Sequence, residues 1–205
     1  MGIGPQDNIF SIDAAELEQR LKKCPAIRRA SVKRQISSNP TLLVDIDARI
    51  PVAWIDCPEL GIHPGDATYG ALADKEGVIF PCMEQVHMPY IREKRMPSVT
   101  LRPPSSGKLS YGVSIRELEA PMKLIELLSG TVTEYLPSIV SITTPNDWSF
   151  CVRFTNDCQA TFSHYGLEHQ VEKLSRALRH ARQTHRKISS INLIPEPVSY
   201  THLRA

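Results

Sequence analysis

The chain has 205 residues, of which 41% are hydrophobic and 6% aromatic, and its 24 Lys and Arg against 22 Asp and Glu give a net charge of +2. This composition predicts a globular protein of one domain or two small ones, and it argues against both wholesale disorder and an overall positive field for binding a nucleic-acid backbone. A membrane-spanning helix needs roughly 20 apolar residues, whereas the longest stretch without Asp, Glu, Lys or Arg covers only 135–146.

The first predicted element is a short helix that begins after Asp13 and ends before Pro25. Asp13 and Glu16 form a capping-box pattern, and Leu17 and Leu21 recur on one face. The capping pattern fixes the start of the helix, and the two leucines define the face that it buries.

Two alternating strands follow, at 30–34 and 42–49, with a break at 37–40. Their apolar residues occupy every second position, which predicts a β-hairpin with one apolar face. We expect the helix to cover that face, because a two-stranded hairpin alone is only marginally stable in water.

A compact apolar run at 52–55 predicts a third strand, and a second hairpin is predicted at 72–74 and 78–80. Gly77, in the turn of this hairpin, can supply a positive φ. The Pro-rich stretch that follows is weakly patterned.

The stretch from 81 to 112 is interpreted as a connecting loop with short extended pieces around Tyr90 and Val99. Helical periodicity returns at 114–129, where Ser114 begins a second capping box. Pro121 either kinks this helix or starts another one.

Three strands are then predicted at 139–143, 148–154 and 160–162. A two-residue turn between the last two would place Thr161 opposite Val152, whereas a three-residue loop, 156–158, places Phe162 opposite Val152. We prefer the second register because it keeps the apolar residues on one face.

A long helix is predicted at 167–186, followed by a last strand at 188–194. The apolar stripe of the helix consists of Leu167, Val171, Leu174, Leu178 and Ala181. Its basic residues, against two acidic ones, are Lys173, Arg176, Arg179, Arg182, Arg186 and Lys187. Such a face can bind RNA, an acidic partner or anionic lipid, or it can simply be solvated.

Motifs that carry catalysis or metal binding are absent from the sequence. The five cysteines include no C-x-x-C spacing, and Cys57 and Cys82 are interpreted either as a disulfide or as two buried thiols. The histidine pairs of the last helical region are five residues apart, which places them on different sides of a helix. We therefore predict no enzyme site, no cofactor and no metal.

Several segments of the first eighty residues share a pattern with a known family. They are NIFSID at 8–13, PAIRRASVKR at 25–34, DARIPVAW at 47–54 and DKEGVIF at 74–80. Together they resemble the FtsQ/DivIB family of bacterial cell-division proteins, in which this pattern ends a POTRA domain and enters a β-domain. The later order of helix, strands, long helix and strand fits the same family, so the resemblance covers roughly 8–194.

The residue patterns and the resemblance together predict an α+β fold. An incomplete POTRA domain, one helix plus a β-hairpin, is expected over 1–50, and a mainly antiparallel β-domain with two packed helices over 51–197. The resemblance implies that Met1 is an internal methionine and that a membrane helix precedes it. The last residues, 198–205, resemble translated sequencing-adapter read-through and are interpreted as a non-native tail.

A POTRA domain also contains a further strand and helix, which the resemblance places before Met1. We therefore expect part of the apolar face to be bare. The residues expected to be more exposed than those of the β-domain are Leu17, Leu21, Val32, Val44 and Ile46.

The family resemblance implies a scaffold: a single-span inner-membrane protein whose extracytoplasmic, periplasmic part docks other septal proteins, notably FtsB- and FtsL-like partners. No nucleic acid is expected as a partner. The alternatives are a POTRA-type binding module of outer-membrane assembly or transport and, third, an unrecognised hydrolase.

Docking by an added strand uses backbone hydrogen bonds and leaves almost no residue-type signature. By analogy with the family, we expect the partner site on the last strand and the adjoining basic helix, with the N–H of Leu193 among the donors. The predicted site residues are Ile191, Asn192, Leu193, Ile194, Arg176, Arg179 and Arg182.

Overall fold

The computed structural model describes residues 10–36, 40–93, 95–130 and 136–194. Its first helix, α1 (Ala14–Lys22), begins where the sequence predicts. Asp13 Oδ1 accepts hydrogen bonds from the backbone N–H groups of Ala15 and Glu16, at 2.9 and 3.1 Å. The side-chain cap supplies partners to N–H groups that the first turn leaves unpaired.

Two strands, β1 (Ile27–Gln35) and β2 (Thr41–Ala48), pair in an antiparallel two-stranded sheet. The predicted hairpin is confirmed, with Ala30 opposite Ile46 and Val32 opposite Val44. Of the predicted break at 37–40, residues 37–39 lie outside the described residues. We call α1, β1 and β2, with the chain as far as residue 49, the N-terminal unit.

The expected exposure of the N-terminal unit is confirmed for two of the five residues and is wrong for the other three. Val44 and Ile46 are 41% and 45% exposed, but Leu17, Leu21 and Val32 are buried. A single helix covers one strand of the pair, and α1 lies over β1, where the Glu18 carboxylate accepts the N–H of Val32 at 3.0 Å. The apolar face of the hairpin is therefore covered on β1 and exposed on β2.

The remaining strands form one eight-stranded sheet in the order β10-β9-β8-β7-β6-β3-β4-β5. Four of its seven pairings are antiparallel and three are parallel, which agrees with the predicted α+β class. The strands are β3 (Ala53–Asp56), β4 (Ala71–Ala73), β5 (Ile79–Pro81), β6 (Ser98–Thr100), β7 (Ile139–Thr143), β8 (Ser149–Phe154), β9 (Gln159–Ser163) and β10 (Ser190–Asn192). The helices are α2 (Glu84–Glu93), α3 (Arg116–Gly130) and α4 (Leu167–Gln183), with a short 3₁₀ turn at Pro58–Leu60.

The main core lies between the sheet and the helices α3 and α4. Ile55, Ile79, Phe150 and Phe162 of the sheet are fully buried in one cluster with Leu174 of α4. Strand residues alternate between the two faces, so a second and smaller cluster lies on the opposite face. Its buried members are Ala26, Trp54, Leu72, Phe80 and Cys82.

The second hairpin, β4–β5, is confirmed together with its glycine turn. Gly77 has φ +73°, and a Cβ at this position would lie 3.3 Å from the Cβ of Leu118 at the start of α3. A side chain at position 77 is thus disfavoured both by backbone conformation and by the close approach of α3.

The prediction of an extended piece around Tyr90 is wrong, because residue 90 lies in α2, whereas the prediction at Val99 is confirmed by β6. Pro89 is accommodated inside α2, although proline removes a helix hydrogen bond. Met88 and Ile91 of this helix pack against the smaller core cluster. Tertiary burial outweighs the local cost of the proline. The β-domain region therefore contains three helices where two were expected.

Ser114 does not cap α3, which corrects the second capping-box prediction. Its hydroxyl donates to the carbonyl oxygen of Glu76 at 2.8 Å, across to the β4–β5 turn. Position 114 also forms an isolated antiparallel bridge with Val78. The helix runs through Pro121 without a break. Pro121 therefore does not start a second helix.

Both predicted registers of β8 and β9 are wrong, although the shared apolar face is confirmed. Val152 lies opposite Ala160 and Phe150 opposite Phe162. The loop has three residues but lies one position earlier than predicted, because Asp157 adopts φ +62° and the N–H of Phe154 donates to Cys158 at 3.0 Å. The two-residue difference from the preferred register leaves every side chain on the same face.

The long helix and the last strand are confirmed with shorter bounds. All five cysteines are free thiols, and Cys57 and Cys82 are both buried, which selects the second of the two interpretations. Burial raises the pKa of both thiols. The predicted division into domains at residue 50 stays a prediction, and the tail at 198–205 lies outside the described residues.

Candidate protein-interaction site

The last strand, β10, forms one edge of the eight-stranded sheet. It pairs in parallel with β9, with Ile191 opposite Ala160 and Asn192 opposite Thr161. Within the described part of the chain, β9 is the only strand next to it. The other side of β10 therefore offers backbone N–H and C=O groups for pairing with a further strand.

One hydrogen bond identifies which backbone groups of β10 face outward. The N–H of Leu193 donates to the carbonyl oxygen of Thr161 at 2.9 Å, inside the sheet. Because neighbouring residues of a strand direct their backbone groups to opposite sides, Ser190 and Asn192 direct theirs away from β9. These two residues supply the outward donors and acceptors of the edge.

The predicted role of Leu193 as an outward donor is wrong. Its N–H is used within the sheet, and its side chain is buried in the main core. Ile191 is half-buried against the same core. Asn192 is exposed, and its side-chain oxygen accepts the N–H of Ile194 at 3.1 Å. Of the four predicted strand residues, Asn192 is the one whose backbone is placed for edge pairing.

The predicted arginines lie on α4. Arg176 and Arg179 line a groove of about 400 Å³ that also includes Leu127 of α3. The guanidinium of Arg176 lies 3.7 Å from the carboxylate of Glu172. Arg182 is exposed in the last turn of the helix. The groove is therefore a mixed-charge surface with one apolar wall.

The structure places Arg176 and Arg179 toward α3 and not beside β10. Lys123 of α3 and Glu168 of α4 form an ion pair at 2.7 Å, and Glu168 also lines the groove. The Lys123 ammonium lowers the pKa of Glu168. The strand edge and the arginine groove are thus two separate surfaces, although the sequence analysis predicted a single site.

Comparison with known families agrees with the N-terminal part of this architecture. Residues 1–47 match the family model described as POTRA domain, FtsQ-type. The matched segment contains α1, β1 and most of β2. A comparison with curated proteins finds no match. An FtsQ-type POTRA domain is a protein-binding module, so the match indicates a protein-interaction scaffold.

Sequence reasoning missed Gln170, which fixes the neighbourhood of the strand edge. Its side chain is fully buried; the carbonyl oxygen accepts the N–H of Ser163 at 2.8 Å, and the amide nitrogen donates to the carbonyl oxygens of Ser163 at 3.3 Å and Tyr165 at 2.6 Å. The amide thus pairs with the backbone of β9 at Ser163, just beyond the residues of β9 that pair with β10. The sequence does carry one indication of this role, because a polar residue within the apolar stripe of a helix is buried and needs hydrogen-bond partners.

Two further observations bear on the class of site. The described residues contain no group of three or more His, Cys, Asp or Glu side chains arranged to hold a metal ion. None of the described helices combines the length and the apolar character needed to cross a membrane.

Proposed function

We propose that this chain is the extracytoplasmic part of a scaffold protein of the bacterial division machinery. It docks FtsB- or FtsL-like septal proteins by accepting a partner strand at β10. The protein is located at the inner membrane, with the described region on the periplasmic side. The match of residues 1–47 to an FtsQ-type POTRA domain supports the division role. The mode of docking is supported by the side of β10 that no other strand of the described residues pairs with.

The observation that carries the docking mode is the direction of the β10 backbone. Ser190 and Asn192 direct their backbone groups away from β9, and strand addition recognises a partner mainly through such groups. The side chain of Ile191 extends the main core toward the edge. A partner strand would therefore place apolar residues on the helix-covered face and polar residues on the other face.

A pair of substitutions at one position tests this docking mode. Asn192→Pro removes an outward N–H and keeps the pairing with β9, since proline is tolerated on the free side of an edge strand. Asn192→Ala is the matched control, because it removes the same side chain and keeps the N–H. The measurement is binding of the full chain to the extracytoplasmic segment of an FtsB-like protein from the same genome, by biolayer interferometry.

We expect Asn192→Pro to raise the Kd at least about tenfold, equivalent to ~1.4 kcal/mol, with Asn192→Ala close to wild type. Amide exchange of β8 and β9 checks that the fold is retained. Equal binding by the proline variant would contradict docking at β10. Failure of the wild-type chain to bind the FtsB-like segment would contradict the choice of partner.

A further inference from the structure

A buried ion pair joins the N-terminal unit to the eight-stranded sheet. Arg49, which follows β2, places its guanidinium 2.6 Å from the carboxylate of Asp74 at the β4–β5 turn. Their side chains are 14% and 7% exposed. The Arg49 Nε donates to the carbonyl oxygen of Pro25 at 3.1 Å. One guanidinium thus holds both the entry and the exit of the β1–β2 hairpin against the turn.

The carboxylate oxygen of Asp74 that does not face Arg49 accepts hydrogen bonds within the turn. Its Oδ1 accepts the N–H groups of Glu76 at 2.9 Å and Val78 at 3.0 Å, while Oδ2 faces Arg49. Both carboxylate oxygens of Asp74 therefore have hydrogen-bond partners of fixed direction. The turn cannot rotate away from the N-terminal unit without losing the bond between Asp74 and Arg49.

An apolar cluster also joins the N-terminal unit to the sheet. Ala26, between α1 and β1, is 1% exposed and belongs to one cluster with Trp54, Leu72 and Phe80 of the sheet. The N–H of Arg49 donates to the carbonyl oxygen of Ala26 at 2.9 Å. The contact thus combines an apolar seat with directional hydrogen bonds.

We infer that the N-terminal unit and the eight-stranded sheet form one rigid body, locked by the Arg49–Asp74 pair. Adjacent units of a chain are expected to move relative to each other unless their interface is large and apolar. Arg49 also lies 3.8 Å from the exposed carboxylate of Glu76, but removing Arg49 leaves the Asp74 carboxylate buried without its ion-pair partner, which is strongly destabilising. The lock concerns orientation within the chain, and it holds whether or not the proposed function is correct.

The consequence is a fixed geometry for any partner that touches both parts. Surfaces on the N-terminal unit and on the sheet are held at constant spacing, so a partner that contacts both loses little orientational freedom of the protein on binding. A flexible joint would instead present two surfaces at variable spacing.

Residual dipolar couplings of the full chain test the lock without a partner. Two bodies that move together share one alignment tensor, whereas a hinged unit shows a weaker or different one. The test variants are Arg49→Met, which keeps the aliphatic stem, and Asp74→Asn, which keeps an oxygen for the turn. The control is Arg28→Gln, which removes the ion pair with Glu76 at 2.7 Å, where both side chains are more than 40% exposed.

We expect one tensor for wild type and for Arg28→Gln, and a loss of alignment confined to the N-terminal unit in Arg49→Met and Asp74→Asn. Amide chemical shifts of the sheet report whether each variant is folded. Two tensors in the wild-type chain would overturn the inference, whatever the variants do. A single tensor in both folded lock variants would also overturn it, because the apolar seat would then suffice.

Discussion

Replacing Gln170 with methionine removes the amide that holds the end of β9 to α4. The variant keeps a side chain of similar length in the same buried position. It leaves the N–H and C=O groups of Ser163 without their buried hydrogen bonds, and it removes a bond to the carbonyl oxygen of Tyr165. The perturbation is therefore a loss of hydrogen bonds with little change in volume.

The magnitude follows from the number of buried groups left unpaired. Each costs about 1–3 kcal/mol, so the two groups of Ser163 together cost roughly 2–6 kcal/mol, which the apolar gain of methionine offsets in part. The third acceptor, on Tyr165, is only partly buried and can bond to water. The total is a large part of a domain stability of about 5–15 kcal/mol.

Urea unfolding of the full chain measures this free-energy loss. Gln183→Met is the matched control, because Gln183 is the exposed last residue of the same helix. Amide exchange locates the effect, and we expect faster exchange in β9, β10 and the start of α4. A loss no larger for Gln170→Met than for Gln183→Met would refute the reasoning.

Two further predictions concern protonation and charge. Burial lowers the pKa of His87, whose Nδ1 accepts the N–H of Met83 at 2.9 Å, so the folded state favours the neutral ring. The unfolded chain then binds more protons as the pH falls below the ordinary histidine value of about 6.5, and this part of the stability is lost on acidification. Urea midpoints at pH 7.5 and 5.5 should differ less in His87→Leu than in wild type, and His180→Gln, at an exposed position, should match wild type. Charge reversal of Arg176 and Arg179 to glutamate should slow association with an acidic partner at low salt and have little effect at high salt; stopped-flow rates that do not depend on salt would indicate a solvated face instead.

Local sequence patterns determined most of the elements. Three features depend only on residues that are neighbours in the chain, so the residue types alone predict them. They are the cap at Asp13, the apolar alternation within the strands that contain Val32 and Val44, and the turn at Gly77. The same holds for the apolar face of β8 and β9. Its exact register did not follow, because Asp157 adopts a positive φ that only Gly, Asn or Asp adopt readily, and the sequence left more than one loop position open.

Tertiary packing explains the elements and contacts that local sequence patterns predicted wrongly. Pro89 lies inside a helix whose Met88 and Ile91 pack, partly buried, against the smaller core cluster. Ser114 bonds across to the β4–β5 turn. The candidate site was predicted as one surface from residues close in sequence, but α3 packs against the side of α4 that carries the arginine groove.

The sequence by itself determined the α+β fold class and the elements of the N-terminal unit, because helix capping and apolar alternation follow directly from the order of residues. The tertiary structure alone decided that Asn192 rather than Leu193 faces outward and that Arg49 meets Asp74. Those facts depend on which strand lies beside which and on contacts between positions far apart in the chain. Backbone groups are the same for every residue type except proline, so an edge suited to strand addition is defined by its neighbours and not by its composition.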